Sequence, residues 1–385
     1  MMGGSSSGGF YLLEANDRSD PSRVPGLDLL RLASVAAVIL YHYGFWGPAS
    51  NGVPRVAVPY LADIAQYGFL GVPVFFMISG FVIAYSAEGR TPTGFAVARF
   101  SRIYPTFLFC MTLTAITILL LGADNFAVTL SQWFANLLIA APAFGQAYVD
   151  TSYWSLVIEV VFYGWVTVFL AMGLFPRRID LIILIWLGIT LANELTIDAP
   201  IVEKLFLADD SGFFAVGLLI YQYYRGRRDF KLHSILAISI GTSVFQAIHK
   251  VEHLGPHTGG NFDERVVATI CLASIAVVFL ATRIPKLPLS AGLIAAAGGV
   301  TYPLYLLHMQ MGYTIFAAIN PVRNFEMWTA AIISVMIILA WATWRVVETP
   351  AHRWTKNKMM AGATRLGWPP RTSMKDRIGP TIAGL

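Results

Sequence analysis

Arg31 and His42 lie eleven residues apart in an apolar stretch, Leu27 to Trp46 (LDLLRLASVAAVILYHYGFW), long enough to cross a bilayer. At ~100° per residue that spacing falls within ~20° of three full turns, and the rise is ~16 Å. The two side chains therefore share one stripe of one helix, the Arg near a membrane face and the His deeper. Ionisable groups are costly in hydrocarbon and mark working sites when found there, so this track points to chemistry or transport inside the bilayer. Imidazole titrates near neutrality, which makes His42 a candidate general base. The plainer alternatives are a neutral His satisfied by one hydrogen bond, and a topology-setting Arg31 held by Asp28 at i−3.

Other motifs add to the track. In SYWSLVIEVVFYGW, Glu159 stands about five residues into a span with Ser155 and Tyr163 at i−4 and i+4. A lone membrane carboxylate needs a partner, and His42 at similar depth is the natural one; a structural anchor is the alternative. In GFLGVPVFFMISGFVIAY, Gly71, Pro73, Ser79 and Gly80 predict a poorly regular helix. Ser79-Gly80 there is either a hydroxyl at depth or a small-residue packing seam. FAVARFSRIYP places Arg99 and Arg102 at i,i+3 on a short helix expected to end before Pro105. Two guanidiniums on one face, with Tyr104 close by, suit a phosphate-bearing ligand or simply anchor the membrane surface. In VTYPLYLLHMQMGY, Pro303 predicts a bend, and His308 follows Tyr305 at i+3 as catalytic support or as a satisfied structural His. Glu348 and Arg345 in RVVETPAHRW read as a surface clasp. Ser79, Tyr163 and His308 are candidate donors to a developing oxyanion.

The elements that must hold these residues are membrane helices. The chain has 385 residues, 56% hydrophobic and 13% charged, with mean hydropathy +0.62. Soluble domains carry about 25% charged residues. Ten spans follow from hydropathy: 27–46, 67–86, 105–122, 154–175, 179–196, 210–225, 232–249, 266–282, 299–319 and 328–346. The predicted fold class is all-α, polytopic, with both termini cytoplasmic. With the N-terminus inside, 22 of the 27 Lys and Arg fall on cytoplasmic loops and ends, as the positive-inside rule requires. The apolar segment Trp133 to Ala147 is short and carries Pro142. It is expected to lie at the interface or re-enter, because a crossing there would reverse the charge bias. Residues 1–23 are expected to be a flexible tail, 24–356 the transmembrane domain, and 357–385 a cytoplasmic tail.

The net charge of +5 is a topology signal, and no basic patch with interleaved aromatics points to nucleic acid. Cys110 and Cys271 both fall in predicted spans, which argues against a disulfide or a zinc site. HKVEHLGPH spaces His249, His253 and His257 by four, but Gly255-Pro256 is expected to break the helix, and no metal is expected. There is no P-loop, no GxGxxG and no GxSxG elbow.

Taken in order, these motifs resemble the membrane acyltransferase 3 family. The likeness runs from about Val24 to Trp354 and rests on the Arg-x10-His spacing of Arg31 and His42, on GFLGVPVFFMISGF, RFSRIYP, YWSLVIE and TYPLYLLH, and on VVETP. Members O-acetylate sugars of bacterial O-antigens, exopolysaccharides and other glycans, or acylate small glycosylated metabolites. The resemblance implies that His42 is the family's essential histidine and Arg31 its essential arginine. It implies that Arg99 and Arg102 grip the phosphates of acetyl-CoA, and it suggests a stand-alone form without the appended hydrolase-like domain of many members.

The expectation is an inner-membrane O-acyltransferase that moves an acetyl or short acyl group from cytoplasmic acyl-CoA to a sugar or glycan hydroxyl. His42 would be the base, Glu159 its orienter, and Arg31, Arg99, Arg102 and Tyr104 the donor-binding set. Direct transfer is favoured over an acyl-enzyme, for which Ser79 would be the only reasonable nucleophile. Partners would be the acyl-CoA, the sugar or glycosylated acceptor and the bilayer; monomer and homodimer are equally compatible. The rival reading is a proton-coupled transporter or flippase of a lipid-linked sugar using the same track as a relay.

Overall fold

The computed structural model describes residues 24–51, 59–122, 126–284, 287–321 and 323–365. Among these the chain is all helical with no strand. In hydrocarbon a segment must satisfy its own backbone groups, and the helix does so. In chain order the helices are α1 Pro25–Tyr41, α2 Pro59–Ala65, α3 Gly71–Ala87, α4 Pro92–Leu121, α5 Leu130–Asn136, α6 Trp154–Ala171, α7 Ile179–Ala192, α8 Pro200–Phe206, α9 Ser211–Tyr224, α10 Phe230–Thr258, α11 Glu264–Ala281, α12 Ala291–Leu307, α13 Gln310–Ile319, α14 Phe325–Thr343 and α15 Thr349–Arg365. Wide π turns continue α1 through His42–Asn51 and join α14 to α15 through Trp344–Glu348. The N-terminal tail to Arg23 and the chain after Arg365 lie outside the described residues. Residues 357–365, read from sequence as the start of a tail, are helical and extend α15.

Among the described residues, eight helical stretches are long and apolar enough to cross a membrane. Ten result if the bent pairs α8–α9 (45°) and α12–α13 (62°) each count as one span. These are the ten read from hydropathy. Trp133 to Ala147 makes only α5 and a single 3-10 turn, Ala141–Phe144, too short to cross. Buried Asn136 ties that segment back on itself, donating to the Gln132 and Ala147 carbonyls and accepting from the Val149 amide.

The prolines act differently from expectation. Pro73 does not spoil α3, because it falls in the first turn, where backbone amides lack helical partners anyway. Pro105 does not end a short helix; α4 runs through it for 30 residues. Pro256 lies in the last turn of α10, which continues to Thr258, so His257 stays helical with His249 and His253. Pro303 lies within α12, and the break comes after it, at His308–Met309.

The core has two parts. One is built around α3 and α9, with Phe76, Phe81, Phe213 and Phe214 fully or almost fully buried. Gly80 and Gly217 let these helices touch: a Cβ on Gly217 would stand 2.0 Å from the Met77 carbonyl oxygen. The other joins α1, α4, α12, α13 and α14 through Phe107, Tyr153, Tyr313 and Phe316. The candidate residues line the junction of α1, α3, α4, α6 and α12. Outward faces carry exposed Leu119, Leu120, Ile338 and Trp341, suited to lipid.

Candidate active site

His42 and His308 stand at two helix irregularities that meet. His42 is the residue at which α1 widens into its π turn, and His308 ends α12 at the 62° break. Their rings are joined by a 2.8 Å hydrogen bond, His42 Nδ1 to His308 Nε2. The other His308 nitrogen, Nδ1, lies 2.7 Å from the Tyr305 carbonyl oxygen. A carbonyl only accepts, so His308 Nδ1 carries the hydrogen and Nε2 carries the lone pair. Nε2 must then accept from His42 Nδ1–H. The chain of bonds leaves His42 Nε2 bare, on a ring that remains partly exposed while His308 is buried. That is the tautomer of a general base, and the bond to His308 stays in place once His42 takes a proton.

The break itself is pinned by hydroxyls and one carboxylate. Tyr43 donates to the His308 carbonyl at 2.6 Å and Tyr313 to the His42 carbonyl at 2.7 Å. Tyr153 donates to the Leu306 carbonyl at 3.3 Å. Fully buried Asp150 accepts from the Gln310 amide that opens α13, at 2.8 Å, and from the Ser152 amide at 2.9 Å. At the break itself the His308 and Leu306 carbonyls and the Gln310 amide thus all have partners. Asp150 precedes the first residue of its span, and burial pushes its carboxyl up to about 6, against the lowering effect of those hydrogen bonds.

Glu159 is placed elsewhere than expected. Its Oε1 accepts from Ser79 Oγ at 2.9 Å and, by a shorter bond, from Tyr163. Among the described residues it makes no hydrogen bond to His42; His308 occupies that position. The physical reason is register: His42 lies against α12, while Glu159 on α6 faces α3. Tyr163 in turn is within hydrogen-bonding reach of Arg99, so a phenol links that guanidinium to the carboxylate. Ser155, the other predicted neighbour of Glu159, bonds Tyr305 Oη at 2.7 Å instead. Tyr305 lies within electrostatic range of Glu159, which joins the two halves of the track. The hydrogens of Ser79, Tyr163 and His308 are thus already donated, and none of the three is a ready oxyanion donor.

The arginines form the other end. Arg31 pairs with Asp28 at 3.0 Å and lies within electrostatic range of Arg102, Glu159 and Tyr163. Arg102, half-exposed at 49%, meets Glu348 at 3.4 Å. Glu348 is 2% exposed and does not make the predicted surface clasp with Arg345, whose guanidinium stacks on Trp344. The wide turn at Trp344–Glu348 rotates the carboxylate inward. Arg99 lies beside the Phe95 ring. Tyr104 stacks on exposed Phe100, about 200° around α4 from Arg102, and so faces away from the guanidinium pair.

An acyltransferase-domain family model, that of the acyltransferase 3 family, matches residues 24–345. The chain belongs to that family. No curated protein and no solved structure matches it. A membrane acyltransferase must bring an activated acyl group to an acceptor, and the motifs that carry the family resemblance converge here on one track.

The candidate site also includes residues that sequence reasoning passed over. Tyr43 and Tyr313 read as apolar lining because their hydroxyls cannot be aimed from sequence. Asp150 immediately precedes the helical turn Thr151–Tyr153, a capping position that could have flagged it. An apolar cleft lined by Phe162, Trp165 and Trp186, between α6 and α7, contains none of the candidate residues.

Proposed function

We propose that this acyltransferase moves an acetyl or short acyl group from acyl-CoA to a hydroxyl of a sugar, glycan or glycosylated small molecule, in a bacterial inner membrane with both termini cytoplasmic. The observation that carries this reading is the Tyr305–His308–His42 chain, which leaves a bare Nε2 on a partly exposed ring. His42 takes the proton of the acceptor hydroxyl as its oxygen attacks the thioester carbon. The thiolate of CoA leaves, and the proton on His42 returns to it. His308 holds the required tautomer. Arg99 and Arg102 hold the donor's phosphates, with Arg31 toward the same end. Glu159, through Tyr163, positions Arg99 and does not orient His42.

Transfer is direct in this reading. Cys110 and Cys271 are buried, and the Ser79 hydroxyl is committed to Glu159. Radiolabelled acetyl-CoA supplied to the purified protein with a glycan acceptor tests the proposal. Label should move to the acceptor in the wild type and fall at least about 10²-fold in His42→Ala, the usual loss for a missing base. Arg99→Ala should raise the KM for acetyl-CoA. Ser79→Ala should keep acyl transfer within an order of magnitude. Acceptor transport without CoA release would overturn the reading.

A further inference from the structure

Helix α15 lies past the last residue of the family match, Arg345, and packs along α4. It presents His352 and Lys356, one turn apart, toward the α4 face that carries Arg99 and Arg102. The contact has a local cause. Pro105 has no amide hydrogen, so the Ser101 carbonyl one turn earlier lacks its helical partner, and the His352 ring lies within hydrogen-bonding reach of it. This placement brings His352 within electrostatic range of Arg99, Arg102 and Lys356 together.

Three cations therefore converge on one imidazole; Glu348 contacts Arg102, and Asp28 and Glu159 lie within electrostatic range of Arg102 and Arg99. Like charges brought together repel, more so away from bulk water. In addition, Arg99 Nε and His352 Nδ1 are buried with no hydrogen-bond partner among the described residues. Buried polar atoms without partners are costly and rare in a finished site. A multiply charged anion rich in acceptor oxygens offsets the repulsion, accepts from Arg99 Nε, and accepts from His352 Nδ1 once that ring takes up a proton with the ligand. Half-exposed Arg102 gives such a ligand a way in. Phosphate esters match this demand in charge and in oxygen count, and guanidinium binds them in forked pairs.

We propose that α15 is the second wall of a phosphate-binding cleft, with His352 and Lys356 facing Arg99 and Arg102 across the phosphorylated nucleotide end of the acyl donor. The inference rests on the acyl-CoA reading above. An anionic lipid headgroup shares this chemistry and must be separated from the donor.

The test titrates CoA, and separately pantetheine, into the full-length protein in detergent. Variants are His352→Gln, Lys356→Gln and Lys356→Glu, the last covering the case that His352→Gln does not fold. Thermal unfolding of each in nanodiscs, with and without phosphatidylglycerol, forms the second arm. Each Gln variant should weaken CoA about 10-fold, the scale of one charge-assisted contact. Lys356→Glu should weaken it further, pantetheine should be unaffected, and the lipid effect should match wild type. If CoA affinity is unchanged in all three variants while Arg102→Gln still weakens it, α4 alone holds the donor and the proposal fails, with the acyl-CoA reading intact. If the variants lose only the stabilisation by phosphatidylglycerol, the cleft is a headgroup site and the proposal fails. If wild type itself binds no CoA, the acyl-CoA reading fails and this proposal with it.

Discussion

A neutral imidazole is a base at one nitrogen only, and neighbours decide which. In this acyltransferase that decision is relayed from a backbone carbonyl through His308 to His42. The relay makes His308 a positioning residue with a distinct signature. His308→Phe removes the acceptor for His42 Nδ1–H and should lower kcat about 10²-fold while leaving the KM for acyl-CoA unchanged. His308→Gln, whose carbonyl can accept the same hydrogen, should recover part of that loss. Steady-state kinetics with varied acyl-CoA checks both. At this scale much was legible. The types and spacings of Arg31, His42, Glu159 and His308 mark a polar track, and Asp28–Arg31 and Glu159–Tyr163 follow from helical neighbour rules. The His42–His308 contact was not legible, because it spans 266 residues of sequence and sequence periodicity speaks only within one helix.

At the scale of elements, two distorted helices make the site. A π turn in α1 and a break in α12–α13 expose carbonyls that Tyr43 and Tyr313 bind, locking the two distortions together. Gly312 is the contact point, since a Cβ there would lie 1.6 Å from the Tyr43 hydroxyl oxygen. Gly312→Ala should therefore displace Tyr43, destabilise the protein by roughly 1–3 kcal/mol as overpacking does, and reduce transfer. Gly188→Ala, with open space around it, serves as the control in the same thermal unfolding series. Asp150 supplies a pH test of the break. Its carboxyl is raised to about 6 in the fold, so the folded state holds the proton that the unfolded chain has released by then. Its contribution favours folding below about pH 4, is lost as pH climbs from about 4 to about 6, and is constant above. The total is about 3 kcal/mol, and Asp150→Asn should flatten that part of the stability–pH curve. Sequence signalled the prolines and misplaced their effect. Pro73 and Pro256 fall in terminal turns that need no further amide donor or tolerate its loss, and the Ser101 carbonyl freed by Pro105 finds His352. Local composition names a helix breaker, but tertiary partners decide whether the helix breaks.

The whole molecule is a bundle with a polar seam that runs from the Arg99–Arg102 end to the His42–His308 pair. Its spans were legible because hydrocarbon imposes length and apolarity on each crossing, and charge distribution already argued against a crossing at Trp133–Ala147. Which faces meet was not, since in α3 nearly every residue is apolar and almost all are buried. A uniformly apolar helix carries no stripe to read. In the proposed reading the donor reaches between the seam's two ends, phosphates at one and thioester at the other. The rise of α1 from Arg31 to His42, about 16 Å, sets the span such a donor must bridge. The most direct measurement is a structure of the protein with a non-hydrolysable thioether analogue of acetyl-CoA. The account predicts phosphate density against Arg99 and Arg102, and the acetyl carbon within about 4 Å of His42 Nε2, close to attack distance for an intervening hydroxyl. An analogue bound with its acyl end remote from that nitrogen, or with its phosphates away from the arginines, would contradict it.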